Sequence, residues 1–316
     1  MIDRLGRSIT YLRLSVTERC TLRCAYCRAE EGACPKRAEL SAESLVRIVR
    51  AAAALGVEKL RVTGGEPMLR RDLLDILRGA RETPGIREIN MTTNAQHLPG
   101  RAAALKAAGL DRLNISIDSL RPERYDKLTG GGALDAVLRG IDEALEAGFA
   151  PLKLNAVLLR GVNDDELDDF IALTKDRPID MRFIELMPLG DEDHGAERIG
   201  GDELRARCPL LEPLPPRYAG QPSRDYRLPG HMGRVGFIDA VSHKFCADCN
   251  RIRVMSDGML RPCLGQNAEL SLLEALREPD DAALTARIRD AIYHKPAGHG
   301  FGAGFVSEKN MSRIGG

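Results

Sequence analysis

Between residue 11 and about residue 190 the sequence switches six times between short alternating runs and longer amphipathic ones. The short runs "YLRLSVT", "KLRVTGGEP", "EINMTTN", "RLNISID", "PLKLNAVLL" and "DMRFIELM" carry the two-residue period of strands. Between them lie helical stretches such as "AESLVRIVRAAAALG", "GRAAALKAAG" and "GALDAVLRGIDEALEAG". Ser41 is placed to cap the first of these, and Gly56 to end it. Repeats of roughly thirty to forty residues, strand then helix, predict an α/β fold with a parallel sheet and right-handed crossovers. Six units are fewer than the eight of a closed barrel, so the expected architecture is an incomplete (β/α)6 TIM-like barrel. The polar clusters, Cys20 to Cys27, "TGGEP", "TTN", "SID" and "ELM", all fall at the carboxyl ends of the strands. In such folds that is where chemistry sits.

After residue 190 the character changes. "PLGDEDHGAE" and "CPLLEPLPPRYAGQPSRDY" are rich in proline and turn residues, as a linker or cover would be. A short β region follows, then helical stretches expected near 269–277 and 282–293, and a glycine-rich tail. The chain therefore divides into a barrel core, residues 1–190, and a C-terminal region, residues 191–316. Lys plus Arg and Asp plus Glu number 46 each, so no global field draws nucleic acid or anionic lipid. An anionic ligand must be caught by a local basic cluster. There is no apolar run of membrane-spanning length and no secretory leader, so a cytoplasmic protein is expected. Whether it is a monomer or a homodimer is not written in the sequence.

Six of the eight cysteines fall in two triplets, Cys20/Cys24/Cys27 and Cys246/Cys249/Cys263, while Cys34 and Cys208 stand apart. Compact cysteine groups in a cytosolic chain of this size point to metal binding or catalysis rather than disulfides. For the first triplet, C-x3-C-x2-C, a buried helical stripe, a zinc site and an iron–sulfur cluster are the readings to weigh. Polar Arg19 just before the thiols, with Thr21 and Arg23 between them, speaks against the stripe, and zinc wants a fourth Cys or His close by. The second triplet, C-x2-C-x13-C, is also compatible with zinc, with His243 the nearest other ligand. It contains "NRIR", which sets Arg251 and Arg253 on one side of a strand beside the metal.

C-x3-C-x2-C with an aromatic residue before the last cysteine resembles the signature of the radical S-adenosylmethionine (SAM) enzymes. The resemblance implies that Cys20, Cys24 and Cys27 bind three irons of a [4Fe–4S] cluster, leaving the fourth for the methionine end of SAM. Reduction of the cluster then yields a 5′-deoxyadenosyl radical. "TGGEP", residues 63–67, resembles the segment that contacts the SAM amino group, with Glu66 suited to complement an ammonium. By the same resemblance Tyr26, Gly65, Ser116 and Met187 line the SAM pocket.

Within that superfamily the chain resembles the GTP 3′,8-cyclases of molybdenum cofactor biosynthesis along nearly its whole length. The match runs from "LRLSVTERC" through "KLRVTGGEPMLRRDL", "TTN", "LNISIDSL", "KLNAV" and "RFIELMP" to the second triplet, "KPAGHGF" and the closing Gly315-Gly316. The family resemblance implies a second [4Fe–4S] cluster on Cys246, Cys249 and Cys263, whose open iron receives the guanine of GTP. It assigns GTP contacts to Arg13, Arg61, Thr92, Lys153, Arg251 and Arg253, with Arg182 and Lys59 as further candidates. The implied reaction begins with hydrogen abstraction from ribose C3′. The C3′ radical then attacks guanine C8, and an electron and a proton complete the product. An external electron donor is implied, as is transfer of the product to the cyclic pyranopterin monophosphate synthase. The Gly315-Gly316 tail is expected to reach into the site. The chain departs from the family after Cys27, where "RAEEGACP" is shortened and adds Cys34. Two alternatives stand beside this reading. One is a radical SAM peptide-modifying enzyme, whose extension would usually carry more cysteines. The other is a two-cluster electron carrier, which would suit complete four-thiolate sites and would not cleave SAM.

Overall fold

A computed structural model of the chain describes residues 1–27, 38–189, 195–301 and 305–315. Cys34 and the terminal Gly316 lie outside the described residues. Six strands, β1 (Tyr11–Ser15), β2 (Lys59–Thr63), β3 (Glu88–Thr93), β4 (Arg112–Ser116), β5 (Leu152–Ala156) and β6 (Ile179–Ile184), stand side by side in sequence order. All five pairings among them are parallel. The intervening helices are α1 (Ala42–Ala54), α2 (Leu73–Arg81), α3 (Ala102–Ala107), α4 (Pro122–Thr129), α5 (Leu134–Glu146) and α6 (Leu167–Ala172). Alternation explains how they pack. Leu12, Leu14, Leu60, Val62, Ile89, Met91, Leu113 and Ile115 are fully buried in the main core, as are Leu45, Ile48, Val49 and Ala52 of α1. Residues on the opposite strand face, Arg13 and Arg61 among them, line an interior cavity. α1 begins where the Ser41 hydroxyl accepts from the Ser44 amide at 3.1 Å. This is the incomplete (β/α)6 barrel that the six strand–helix units predict.

The later segment does not form a separate sheet. It continues with α7 (Gly201–Ala206), β7 (Glu212–Pro213), β8 (Arg224–Arg227), β9 (Val235–Ile238), β10 (Arg251–Val254), β11 (Met259–Arg261), β12 (Leu270–Ser271), α8 (Ala282–Tyr293) and α9 (Met311–Ile314). β9 adds parallel to β6 at one edge, and β10 adds parallel to β1 at the other. Beyond them the sheet ends in short antiparallel strands, β8 and β7 on one side, β11 and β12 on the other. The helix expected near 269–277 is replaced by β12 and a single 3-10 turn, Ala275–Arg277. Leu270 pairs with Leu260 across the ladder, so pairing with the preceding strand outweighs local helical propensity there. Among the described residues no helix is long and apolar enough to cross a membrane.

Candidate functional site

Both cysteine triplets open onto one cavity of about 350 Å³ inside the barrel, and all six thiol residues line it. The first triplet sits on the loop leaving β1, which the "TGGEP" turn after β2 clamps from below. Gly65 donates its amide to the Thr17 carbonyl at 2.8 Å and Glu66 donates to the Arg19 carbonyl at 2.7 Å. A side chain on Gly65 would collide with the Arg19 backbone, so the glycine serves close approach of two loops. Glu66 departs from the expectation of a ligand-facing carboxylate. It is fully buried and accepts from the Met68 amide, the Thr93 hydroxyl and the Asn94 amide at 2.7–2.9 Å, which staples the ends of β2 and β3 together. Asn94 in turn donates to the Cys20 sulfur at 3.6 Å. Tyr26 is anchored from the far side, its hydroxyl donating to Asp118 at 2.6 Å, while Asp118 also accepts the Val157 amide at 2.9 Å. Burial lifts the Asp118 carboxyl to about 6. The Cys24 thiol is pushed well above its usual value, by burial first and then by the Asp118 charge.

The middle of the cavity is cationic, and strand register makes it so. Arg13 on β1 pairs with Arg61 on β2 and with Arg253 on β10, which sets three arginines in one row across neighbouring strands. Arg251 lies in the next row beside Tyr11. Asn114, with its amide turned to suit its neighbours, accepts from Arg61 and from Arg182 (2.8 Å to the latter). Tyr11 accepts from Arg61, and the guanidiniums of Arg61, Arg13 and Arg251 outweigh burial to bring its phenol below the ordinary value. Nearby carboxylates are engaged elsewhere, Glu88 with Lys59 at 3.3 Å and Asp180 with Arg217 at 2.8 Å. Among the described residues no carboxylate pairs with Arg13, Arg61, Arg182, Arg251 or Arg253. Burial lowers Arg182 and Arg253 to about 10, and burial with the neighbouring Arg253 and Arg61 takes Arg13 well below its usual value. The Nε atoms of Arg13 and Arg182 and the Thr92 hydroxyl are buried with no hydrogen-bond partner. Uncompensated buried cations with orphaned donors are the signature of a site built for a polyanion.

At the second triplet the Cys249 thiol lies below the ordinary value, because Lys295, Arg251 and Arg7 outweigh the effect of burial. Cys263 stays raised by burial, with Lys295 and Arg253 opposing. The seven described cysteines are present as thiols. Among the described residues no three His, Cys, Asp or Glu side chains converge on a single ion position, which is the arrangement zinc requires. Thiolates that each take a different iron of a cluster need no such convergence. Three thiols lining the cavity at each place, with N–H donors at the Cys20 sulfur and cations around the second set, fit cluster ligation at both places.

Tyr26, Gly65, Ser116, Met187, Thr92, Arg13, Arg61, Arg182, Arg251 and Arg253 all line the same cavity. Lys153 does not; it lines a small adjoining pocket with Arg182 and Tyr218, and burial, reinforced by Arg182 and Arg61, brings its ammonium down to about 7. Lys59 lies outside the lining, stacked 4.5 Å from the Tyr218 ring. The cover segment reaches in through Tyr218 and Pro222, and the Gly220 carbonyl accepts from Arg251 at 2.7 Å. The tail arrives through α9, with Arg313 3.3 Å from Glu18. The Gly315 carbonyl accepts from Arg253 at 3.2 Å and from Arg13 at 3.5 Å. At φ +85°, with a Cβ there 2.7 Å from the Thr63 hydroxyl, only glycine suits position 315. Sequence reasoning missed Tyr11, Asn114, Asp118, Arg7 and Lys295; the first three alternate on or just beyond strands already assigned, which was the available signal.

Family models match in two blocks, the Radical SAM superfamily over residues 14–174 and Molybdenum Cofactor Synthesis C over residues 179–301. The chain is 45% identical over 322 residues to the GTP 3′,8-cyclase of Alkaliphilus oremlandii, covering 100% of both chains. It is 45% identical over 325 residues to that of Geobacter sulfurreducens, covering 100% of this chain and 99% of the other. Among solved structures, Streptococcus suis SuiB bound to S-adenosylmethionine superposes with a TM-score of 0.62 at 16% identity. That likeness is one of fold; it takes in 92% of this chain and 65% of SuiB.

Proposed function

The chain belongs to the GTP 3′,8-cyclase family of the radical SAM superfamily, and on that premise we propose that it converts GTP to (8S)-3′,8-cyclo-7,8-dihydroguanosine 5′-triphosphate in molybdenum cofactor biosynthesis. The observation that carries the reading is the single cavity with a three-thiol set at each of two places and, between them, a row of arginines that no carboxylate among the described residues pairs with. Cys20, Cys24 and Cys27 would hold the [4Fe–4S] cluster that binds SAM, and Cys246, Cys249 and Cys263 a second. When bound, the first cluster and SAM supply the electron and the hydrogen-abstracting radical on which the family's chemistry depends. The chain's own residues bind, orient and shield. Tyr26, Gly65, Ser116 and Met187 wall the SAM end. Arg13, Arg61, Arg251 and Arg253 hold the triphosphate with directional paired hydrogen bonds, helped by Thr92 and, from the adjoining pocket, Lys153. Fixing both ends of the nucleotide supplies the orientation that ring closure needs. Gly315 braces Arg13 and Arg253, and the terminal Gly316 completes the tail in this reading.

The same reading divides the chain into a barrel core, 1–190, and a cluster-bearing extension, 191–316. It places the enzyme in the cytoplasm as a monomer or homodimer, served by an external electron donor and passing its product to the cyclic pyranopterin monophosphate synthase. The test is anaerobic incubation of the reconstituted chain with GTP, SAM and dithionite, followed by identification of the nucleotide by mass spectrometry and NMR. A C3′–C8 bonded product with one 5′-deoxyadenosine per turnover is expected. SAM cleavage with GTP recovered intact would overturn the proposal.

A further inference from the structure

Lys295 sits where a solvated lysine would not. Its side chain is among the largest that are fully buried, with the residue 2% exposed. The ammonium donates to the Pro262 carbonyl at 2.6 Å, one residue before Cys263, and the lysine lines the cavity together with Cys249 and Cys263. Among the described residues no carboxylate pairs with it. A buried ammonium with a single carbonyl acceptor is costly unless something else nearby is negative.

Its placement is also braced from the other end of the chain. Arg7, itself buried, donates to the carbonyls of Lys295 (3.3 Å), Pro296 (2.8 Å) and Ala297 (3.2 Å). The same guanidinium donates to the Cys246 carbonyl at 3.0 Å. Asp3 holds Arg7 in turn, at 2.7 Å from its Nε. One guanidinium thus ties the lysine's backbone to the first cysteine of the second triplet, so the charge cannot drift relative to the thiols.

We propose that Lys295 is a positioning residue for the second cluster, a fixed positive charge that favours its reduced state, with Arg7 as its brace. The inference rests on the reading that Cys246, Cys249 and Cys263 hold a [4Fe–4S] cluster. Each electron added makes a cluster more negative, and a buried cation beside it is poorly screened, so the cation stabilises the reduced form more than the oxidised one. Removing the charge lowers the midpoint potential of that cluster and leaves the first cluster unchanged.

The experiment compares full-length wild type, Lys295→Met and Lys295→Arg, reconstituted anaerobically, by iron analysis and EPR-monitored potentiometric titration. A chain with Cys20, Cys24 and Cys27 replaced by alanine assigns the second cluster's signal. Wild type holding about four irons rather than about eight would defeat the two-cluster reading itself. With both clusters present, a more negative second midpoint in Lys295→Met, restored in Lys295→Arg, is the expected result. Equal second midpoints in all three overturn the proposal and leave the two-cluster reading standing. Should Lys295→Met lose the second cluster's iron, retention in Lys295→Arg with the wild-type midpoint supports the charge. Loss in both variants makes the lysine a packing residue and overturns it.

Discussion

The two three-thiol sites share a cavity but sit in opposite electrostatic surroundings. Around Cys24 the nearby formal charge is the Asp118 carboxylate, and the thiol is pushed up by burial and by that charge. Around Cys249 are Lys295, Arg251 and Arg7, and the thiol is pulled down despite burial. Similar ligand sets therefore do not make similar sites. A carboxylate-flanked pocket suits SAM, whose sulfonium and ammonium are cationic, whereas a guanidinium-lined one suits a nucleoside triphosphate. On the proposed function, this asymmetry is what orders two ligands within one cavity.

The bluntest way to break this comparison is to remove one thiol set at a time. Replacing Cys246, Cys249 and Cys263 with alanine should abolish cyclised nucleotide while dithionite-driven SAM cleavage persists; Cys24→Ala should abolish both. Chromatography of 5′-deoxyadenosine decides, and loss of SAM cleavage in the triple variant would show that the sites are not separable. Next in size, Arg253→Ala should weaken GTP binding by about 1.5–3 kcal/mol, the range for hydrogen bonds to charged groups. SAM affinity should not change, and calorimetry with each ligand reads the difference. A similar loss for both ligands would erase the division of labour.

Smaller effects sharpen the contrast. Gly315→Ala forces a residue with a side chain into left-handed backbone, at about 1–2 kcal/mol, and drives it against Thr63. Turnover of GTP should fall by roughly tenfold, as that energy implies, while iron content stays at the wild-type level; unchanged kcat would mark the tail as a bystander. The mildest test is pH. Lys153, lowered to about 7 by burial and by Arg182 and Arg61, carries its proton below that value in the free enzyme. An anion bound beside it raises that value, so GTP affinity is full below about pH 7 and declines as pH rises, by at most about tenfold per unit for one proton. Lys153→Met should flatten that decline measured by calorimetry; a slope unaltered in the variant would assign it to another group.

The strands were legible because each alternates buried and cavity-facing residues within five or six positions, and the paired Arg251 and Arg253 were legible for the same reason. What could not be read was which distant strands meet. Nothing local to "NRIR" says that Arg253 stands opposite Arg13, since that depends on a pairing between segments 240 residues apart, counted from the two positions in register. The helix expected at 269–277 failed for a nearer reason: Leu270 pairs back onto Leu260 of the preceding strand, which overrides its helical surroundings. Glu66 was identified as functional from its turn, but its direction was set by the Thr93 hydroxyl on β3 and the Asn94 amide just after it. Lys295 opens the "KPAGHGF" run, yet neither that run nor the residues around Arg7 point to a role, and only their burial and shared contacts single them out.

The sheet's ends have a consequence for how the chain can be handled. β9 and β10 cover the two flanks of the six-stranded core, and the ribbons beyond them finish in two-residue strands, β7 and β12. Short terminal strands give a second molecule little to pair with. A fragment cut at residue 190 would instead bare the full lengths of β1 and β6, two apolar parallel edges with open backbone donors and acceptors. Such a fragment is expected to self-associate, and light scattering of residues 1–190 beside the intact chain would reveal it. The segment that completes the cavity is thus also what covers both edges of the barrel core.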